Sequence, residues 1–159
     1  MKKLYSDQCL ILAGGYGSRL GKISNNVPKP LIKINKRPFI FYLIKNLYRQ
    51  GIRDFLILSY YKNQLFDKKI FKTFRDAKIR IIKERKKLGT LGSIINAKNY
   101  LKSSFFVTNG DTYFDFNIRD LEFNIILSKA NMGVALTKIK SLHSRISYQI
   151  SNSKFLKIS

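Results

Sequence analysis

The chain has 159 residues, 45% of them apolar, which predicts one globular domain over residues 1–159 with a core of its own. Its formal net charge of +22 draws anionic partners in general. The basic residues are spread out, however, and lack helix-turn-helix, zinc-finger or RNA-recognition spacing, so no specific nucleic-acid partner is expected. Two origins for the charge stay open: a compositional drift shared with the abundant Lys, Ile, Asn, Phe and Tyr, or a polyanion-binding surface. The one cysteine, Cys9, excludes a disulfide within the chain and reads as a small buried hydrophobe. The first eight residues lack the apolar stretch of a signal peptide, and no run reaches membrane-spanning length. A cytoplasmic location is the expectation.

The first element is an apolar run through Leu10, Ile11, Leu12 and Ala13, which has the length of a buried parallel strand. It empties into Gly14-Gly15-Tyr16-Gly17-Ser18-Arg19. Glycines let successive backbone N–H groups crowd around an anion, and Arg19 adds a planar cation suited to phosphate oxygens. Two common phosphate loops are excluded by spacing. Before Gly21-Lys22, a P-loop would need glycine where Tyr16 stands and a hydroxyl where Ile23 stands. A dinucleotide fingerprint would need glycine where Leu20 stands. Next comes Pro28-Lys29-Pro30, in which the prolines hold Val27 and Lys29 out of the helical region. Lys29 therefore stands on a stiff strut and loses little entropy when it meets a phosphate.

Leu31 to Ile34 alternates like a short strand. Pro38 is placed at the first position of a helix with Ile40, Leu43, Ile44 and Leu47 on one face and Gly51 as its stop. Phe55–Leu58 reads as a second strand, 63–74 as a basic helix, and Ile79–Ile82 as a third strand. A second glycine loop, Leu88-Gly89-Thr90-Leu91-Gly92-Ser93, leads to a helix carrying Ile94, Ile95 and Leu101. A fourth strand, 105–107, ends at Asn109-Gly110-Asp111. Asn117 caps a further helix, Gly133–Thr137 reads as a fifth strand, and 148–150 with 155–158 as a terminal hairpin. Strand and helix alternate, so a parallel sheet with right-handed crossovers is expected. Both glycine loops and Asp111 then fall at the carboxyl ends of strands, where ligands of open α/β sheets bind.

The order Leu-Ala-Gly-Gly, Pro-Lys-Pro-Leu, Leu-Gly-Thr and Asn-Gly-Asp-Thr, over roughly residues 8 to 140, resembles the sugar-phosphate nucleotidyltransferases. Among these it is most similar to the type that guanylylates D-glycero-D-manno-heptose 1-phosphate. The resemblance implies an α/β, Rossmann-like three-layer fold with a mainly parallel sheet, truncated at the C-terminus. It implies transfer of a nucleoside monophosphate, GMP, from an NTP to a sugar 1-phosphate with release of pyrophosphate. Arg19, Lys29 and Asp111 would be the catalytic residues, and Asp111 the ligand of Mg²⁺. Leu12, Ala13, Gly14, Gly15, Gly17, Ser18, Arg19, Lys29, Glu84, Gly89, Thr90, Asn109 and Gly110 would line the nucleotide. Glu84 is open to two readings, an acceptor for the donor edge of guanine or a solvated side chain on a basic surface. Asp111 in a Gly-Asp turn also has a plain structural reading.

A catalytic base is not required by this chemistry. A sugar 1-phosphate has its second pKa at about 6 and is mostly dianionic at neutral pH. The reaction needs charge neutralisation and in-line positioning. The single histidine, His143, reads as a loop residue, which argues against Ser-His and Cys-His hydrolases. The family's second metal-binding aspartate has no counterpart, because no Asp or Glu follows Glu122; Asp115 is the one nearby substitute. A nucleotide-binding module without turnover, a hexose 1-phosphate enzyme, and a chain completed by another subunit or by its own copies therefore stay open.

Overall fold

The structure, a computed structural model, describes residues 5–16, 26–136, 147–151 and 154–158, the last two segments by backbone alone. Its centre is a four-stranded parallel sheet built from β1 (Gln8–Leu12), β4 (Asp54–Ser59), β5 (Lys78–Lys83) and β6 (Phe106–Asn109). The strand order is β5-β4-β1-β6, with Leu12 opposite both Leu58 and Asn109. β1 and β4 are central, and their runs QCLIL and DFLILS are buried almost throughout. Parallel strands covered on both faces read as continuous apolar runs for this reason.

Alternate residues of those strands feed two cores. Cys9, Ile11, Phe55 and Ile57 face α1 (Phe39–Arg49), which presents Ile40, Leu43, Ile44 and Leu47. Each such side chain contributes about 1.5–3 kcal/mol on burial. Leu10, Leu56 and Leu58 face the other way, towards Ala97 and the flank of α2 (Gly89–Asn96). The result is the expected three-layer arrangement. Burial also pushes the Cys9 thiol up to about 12, so it packs as a hydrophobe and offers no thiolate.

Several expectations need correction. Lys29, expected outside the helical region on an extended strut, instead opens a 3-10 turn (Lys29–Leu31) closed by the Leu31 N–H donating to Pro28 O at 2.8 Å, and the strand expected from Leu31 shrinks to β2 (Lys33–Ile34), paired with β3 (Arg37–Pro38). The two residues between them, Asn35 and Lys36, both have positive φ, the geometry of a tight hairpin turn. Pro38 sits one residue before α1 as its N-cap.

The basic helix over 63–74 is absent; two 3-10 turns, Asn63–Leu65 and Lys68–Phe71, replace it. Phe66, Phe71 and Phe74 are buried, and Phe74 packs on Phe41 and Tyr48 of α1. Phe66 and Phe71, five residues apart, depart from the i, i+3, i+4 spacing of one helical stripe, and Asp67 accepts the Lys69 N–H at 2.8 Å, closing a local turn.

Residues 132–136 form no strand, so the parallel sheet has four strands among the described residues. Thr137 and His143 lie outside the described residues. α3 (Ile118–Leu127) is capped by Asn117, whose side chain accepts the Arg119 N–H at 3.0 Å. β7 (Ser147–Ser151) and β8 (Lys154–Ile158) pair antiparallel as the expected hairpin. Among the described residues, no helix is long and apolar enough to cross a membrane.

Candidate active site

Where the four strands end, backbone hydrogen bonds carry the ladder one step further. Ala13 N–H donates to Leu58 O, Gly110 N–H to Leu12 O and Glu84 N–H to Ser59 O, each at 2.8 Å. These bonds align the residues after β1, β5 and β6 along one rim. A cleft of about 350 Å³ opens there. Its walls include Leu12, Ala13, Gly14, Gly15, Lys29, Glu84, Gly89, Thr90, Asn109 and Asp111. Ten of the positions singled out in the sequence thus meet in one place. Gly17, Ser18 and Arg19 lie outside the described residues.

Gly110 is the buried floor of this assembly. A Cβ there would lie 3.1 Å from Leu12 O, 3.2 Å from Pro30 Cγ and 3.3 Å from Ala13 Cβ. Its lack of a side chain lets the Pro-Lys-Pro strut settle against the end of β1. That contact brings Lys29 to Asp111, with Nζ 3.6 Å from Oδ2. Both side chains keep solvent access, at 24% and 42%. This solvent-accessible pair can exchange its mutual contact for a ligand.

The opposite wall is the start of α2. Gly89 has φ +70°, a conformation that favours glycine. No side chain caps this helix, so its first N–H groups are available to a ligand at the positive end of the helix dipole. Expected as a loop, Gly89 and Thr90 instead form the first turn of α2.

Glu84 is the least ordinary residue of the site. It is only 4% exposed, and its Oε1 is buried without a hydrogen-bond partner. The side chain lies against the glycine loop, with Oε2 3.3 Å from the position of a Cβ on Gly14. A solvated surface role is ruled out by this burial. Sequence reasoning missed Tyr60, which lines the cleft and whose hydroxyl accepts from the Tyr16 hydroxyl at 3.2 Å. It also missed Ser93 and Lys87, the latter 5.6 Å above the Tyr16 ring. Tyr60 directly follows β4, and a strand's carboxyl end was the one signal that could have found it.

A three-layer parallel sheet with this rim defines a nucleotide-handling α/β domain, and similarity places it more closely. The chain belongs to the nucleotidyl transferase family, whose model matches residues 8–146. It is 35% identical over 117 residues to the D-glycero-alpha-D-manno-heptose 1-phosphate guanylyltransferase of Campylobacter jejuni, covering 74% of this chain and 53% of the relative. The protein of that name from Aneurinibacillus thermoaerophilus is 30% identical over 134 residues, covering 84% and 58%. Among solved structures, HddC from Yersinia pseudotuberculosis complexed with GMP-PN superposes with a TM-score of 0.68 at 34% identity, covering 75% of this chain and 54% of that one. The chain thus spans about half the length of the relatives it matches.

Proposed function

We propose that this chain carries the nucleotide-binding site of a guanylyltransferase that transfers GMP from GTP to a heptose 1-phosphate and releases pyrophosphate. The observation that carries this reading is Glu84, a buried carboxylate with a free oxygen in a cleft otherwise built for phosphates. Guanine presents adjacent N–H donors on one edge, and a carboxylate accepts two such hydrogen bonds. Adenine presents an acceptor in that region and would leave the carboxylate unsatisfied. The names of the Campylobacter and Aneurinibacillus relatives agree with this substrate pair.

In the proposed reaction an oxygen of the sugar phosphate attacks the α-phosphorus of GTP. The bond from that phosphorus to the bridging oxygen breaks, and pyrophosphate leaves with the electron pair. The dianionic nucleophile needs no base. The glycine loop through Gly14 and Gly15 would hold phosphate oxygens by backbone N–H groups, and Lys29 would hold the reacting phosphates in line. Arg19, by its place in the same loop, would take charge on the departing group.

The rim also fits Mg²⁺, tested by its donor set. Among the described residues, no three His, Cys, Asp or Glu side chains form a protein-built cage. One accessible carboxylate, Asp111, faces the cleft beside a displaceable lysine. Mg²⁺ suits such a site, since it takes one or two carboxylates and completes its shell with water and substrate phosphates. When bound, the ion neutralises charge on the triphosphate.

The test is pyrophosphate release on incubation with GTP, Mg²⁺ and D-glycero-D-manno-heptose 1-phosphate. The expected result is release with this pair above ATP, CTP or UTP and above hexose 1-phosphates. Release favouring another nucleotide overturns the guanine assignment. Saturable GTP binding in calorimetry with no pyrophosphate from any pair would keep the binding site and remove the transfer. Glu84→Gln separates base recognition from folding. The variant is expected to lose about 10- to 100-fold of the preference for GTP over ATP, with GTP binding weakened and ATP binding unchanged. An unaltered preference would remove Glu84 from base recognition.

A further inference from the structure

The connection from β5 to α2 carries three successive cations after Glu84, namely Arg85, Lys86 and Lys87. Of these only Lys87 lines the cleft. Its Nζ lies 5.6 Å from the centroid of the Tyr16 ring. Tyr16 directly follows Gly14-Gly15, so Lys87 reaches from the α2 side of the cleft onto the glycine loop.

Tyr16 is itself held in place by the two residues that follow β4. Its ring stands edge-to-face on Tyr60 at 5.7 Å and tilted on Tyr61 at 5.1 Å. Its hydroxyl donates to the Tyr60 hydroxyl at 3.2 Å. That bond raises the Tyr60 hydroxyl above its ordinary range, so Tyr60 stays neutral and offers Lys87 no counter-charge. Tyr60 Cβ and Glu84 Oε2 each lie 3.3 Å from the position of a Cβ on Gly14. Segments after β1, β4 and β5 therefore meet at the glycine loop, and Lys87 is the cation they leave above it.

The charges of the cleft single this lysine out. Its described lining has four charged side chains, Lys29, Glu84, Lys87 and Asp111, whose formal charges cancel. A nucleoside triphosphate adds several negative charges that this lining must meet. Lys29 already faces Asp111 at 3.6 Å. Lys87 forms no ion pair, although all nine acidic residues of the chain lie among those described. Contact with an aromatic ring is weak at an exposed site, and a charge-assisted hydrogen bond to phosphate is stronger. A phosphate within reach therefore wins the ammonium from Tyr16. The flexible stem and three donors of lysine suit that exchange.

We propose that Lys87 is a further phosphate-binding residue of the cleft, taking the β- and γ-phosphates of the nucleotide from its position over Tyr16. This rests on the reading of the cleft as a nucleoside triphosphate site. In that reading Glu84 marks the base, and Lys29 with Asp111 marks the reacting α-phosphate. The glycine loop runs on past Tyr16 towards Arg19 and the departing group. Lys87 lies over that loop, where the two phosphates that leave together would sit. A general polyanion surface would draw equally on Arg85 and Lys86, which lie outside the cleft lining.

Calorimetry on the full chain with GMP, GDP and GTP, each with Mg²⁺ at one salt concentration, tests the assignment. Lys87→Met keeps a long stem and removes the charge. It is expected to weaken GTP binding by about tenfold or more, to weaken GDP binding less, and to leave GMP binding unchanged. Lys87→Arg should recover most of the GTP affinity. Lys86→Met removes the same charge one residue away and should leave all three affinities as they were. Parental GTP affinity in Lys87→Met overturns the proposal, as does an equal loss for GMP and GTP, a loss matched by Lys86→Met, or no recovery in Lys87→Arg. Tighter binding of another base removes guanine but not Lys87, because the same comparison then runs on the mono-, di- and triphosphates of that base. Failure of every triphosphate to bind the parent chain removes the nucleotide reading and Lys87 with it.

Discussion

Asp111→Asn is expected to lower pyrophosphate release by about 10²–10³-fold, the loss typical of removing one charge-stabilising group from a reacting centre. The reason lies in the pairing of Asp111 with Lys29 at 3.6 Å on an accessible rim. Asparagine keeps the shape and hydrogen-bonding reach but cannot neutralise a divalent cation. The same variant should abolish the Mg²⁺ dependence of GTP binding in calorimetry, a readout that survives even where turnover is absent. Stability should barely move, because an ion pair this exposed is worth less than about 1 kcal/mol. Lys29→Ala should weaken GTP binding in the presence and absence of Mg²⁺, and the double variant should lose less than the sum. Wild-type Mg²⁺ dependence in Asp111→Asn would remove the carboxylate from metal binding.

Asp54→Ala carries the largest expected effect on folding, a loss of about 3–5 kcal/mol. Asp54 opens β4 at the end of the sheet opposite the cleft, and its side chain is only 9% exposed. Arg80 Nη2 donates to both carboxylate oxygens at 2.9 and 3.0 Å, and Gln8 Nε2 donates to Oδ2 at 2.9 Å. Gln8 also bonds Tyr100 O and the Lys102 N–H, so one carboxylate ties three strands and the 98–102 connection together. Removing it leaves a guanidinium whose Nε already lacks a partner. Asp76 supplies the contrast. It pairs with Arg53 and Tyr48 at the surface, and Asp76→Ala should leave the urea midpoint close to that of the parent chain. Equal midpoints for the two variants would refute the view that burial sets the difference.

The glycine-bearing turn after β1 and the turn around Lys29 were legible in outline because their stereochemistry is local. Glycines after an apolar run and prolines on either side of Lys29 constrain the backbone within a few residues, although Lys29 itself opens a 3-10 turn and not an extended strut. α1 was legible for the same reason, through its apolar stripe and Gly51. The burial of Glu84, which decides between its two readings, was not, since burial depends on what packs above a side chain and no neighbour in sequence reports it. The segment 63–74 failed because its lysines favour a helix while Phe66, Phe71 and Phe74, the first two off helical spacing, are buried in the core cluster that includes α1. The segment 132–136 failed because a strand exists only in a pair, and pairing is a property of two segments.

From its residue order alone this chain determined a parallel α/β layering, two glycine-bearing turns at strand ends, and a lysine and an aspartate suited to phosphate and metal. Those follow from backbone stereochemistry and hydrophobic period, which act over one turn or one strand. Tertiary structure alone decided that Lys29 lies beside Asp111, that Glu84 is sealed into the cleft with an oxygen free, and that Gly110 packs against the end of β1 and Pro30. Each of these depends on which distant segments share a surface, and only the register of the folded sheet sets that.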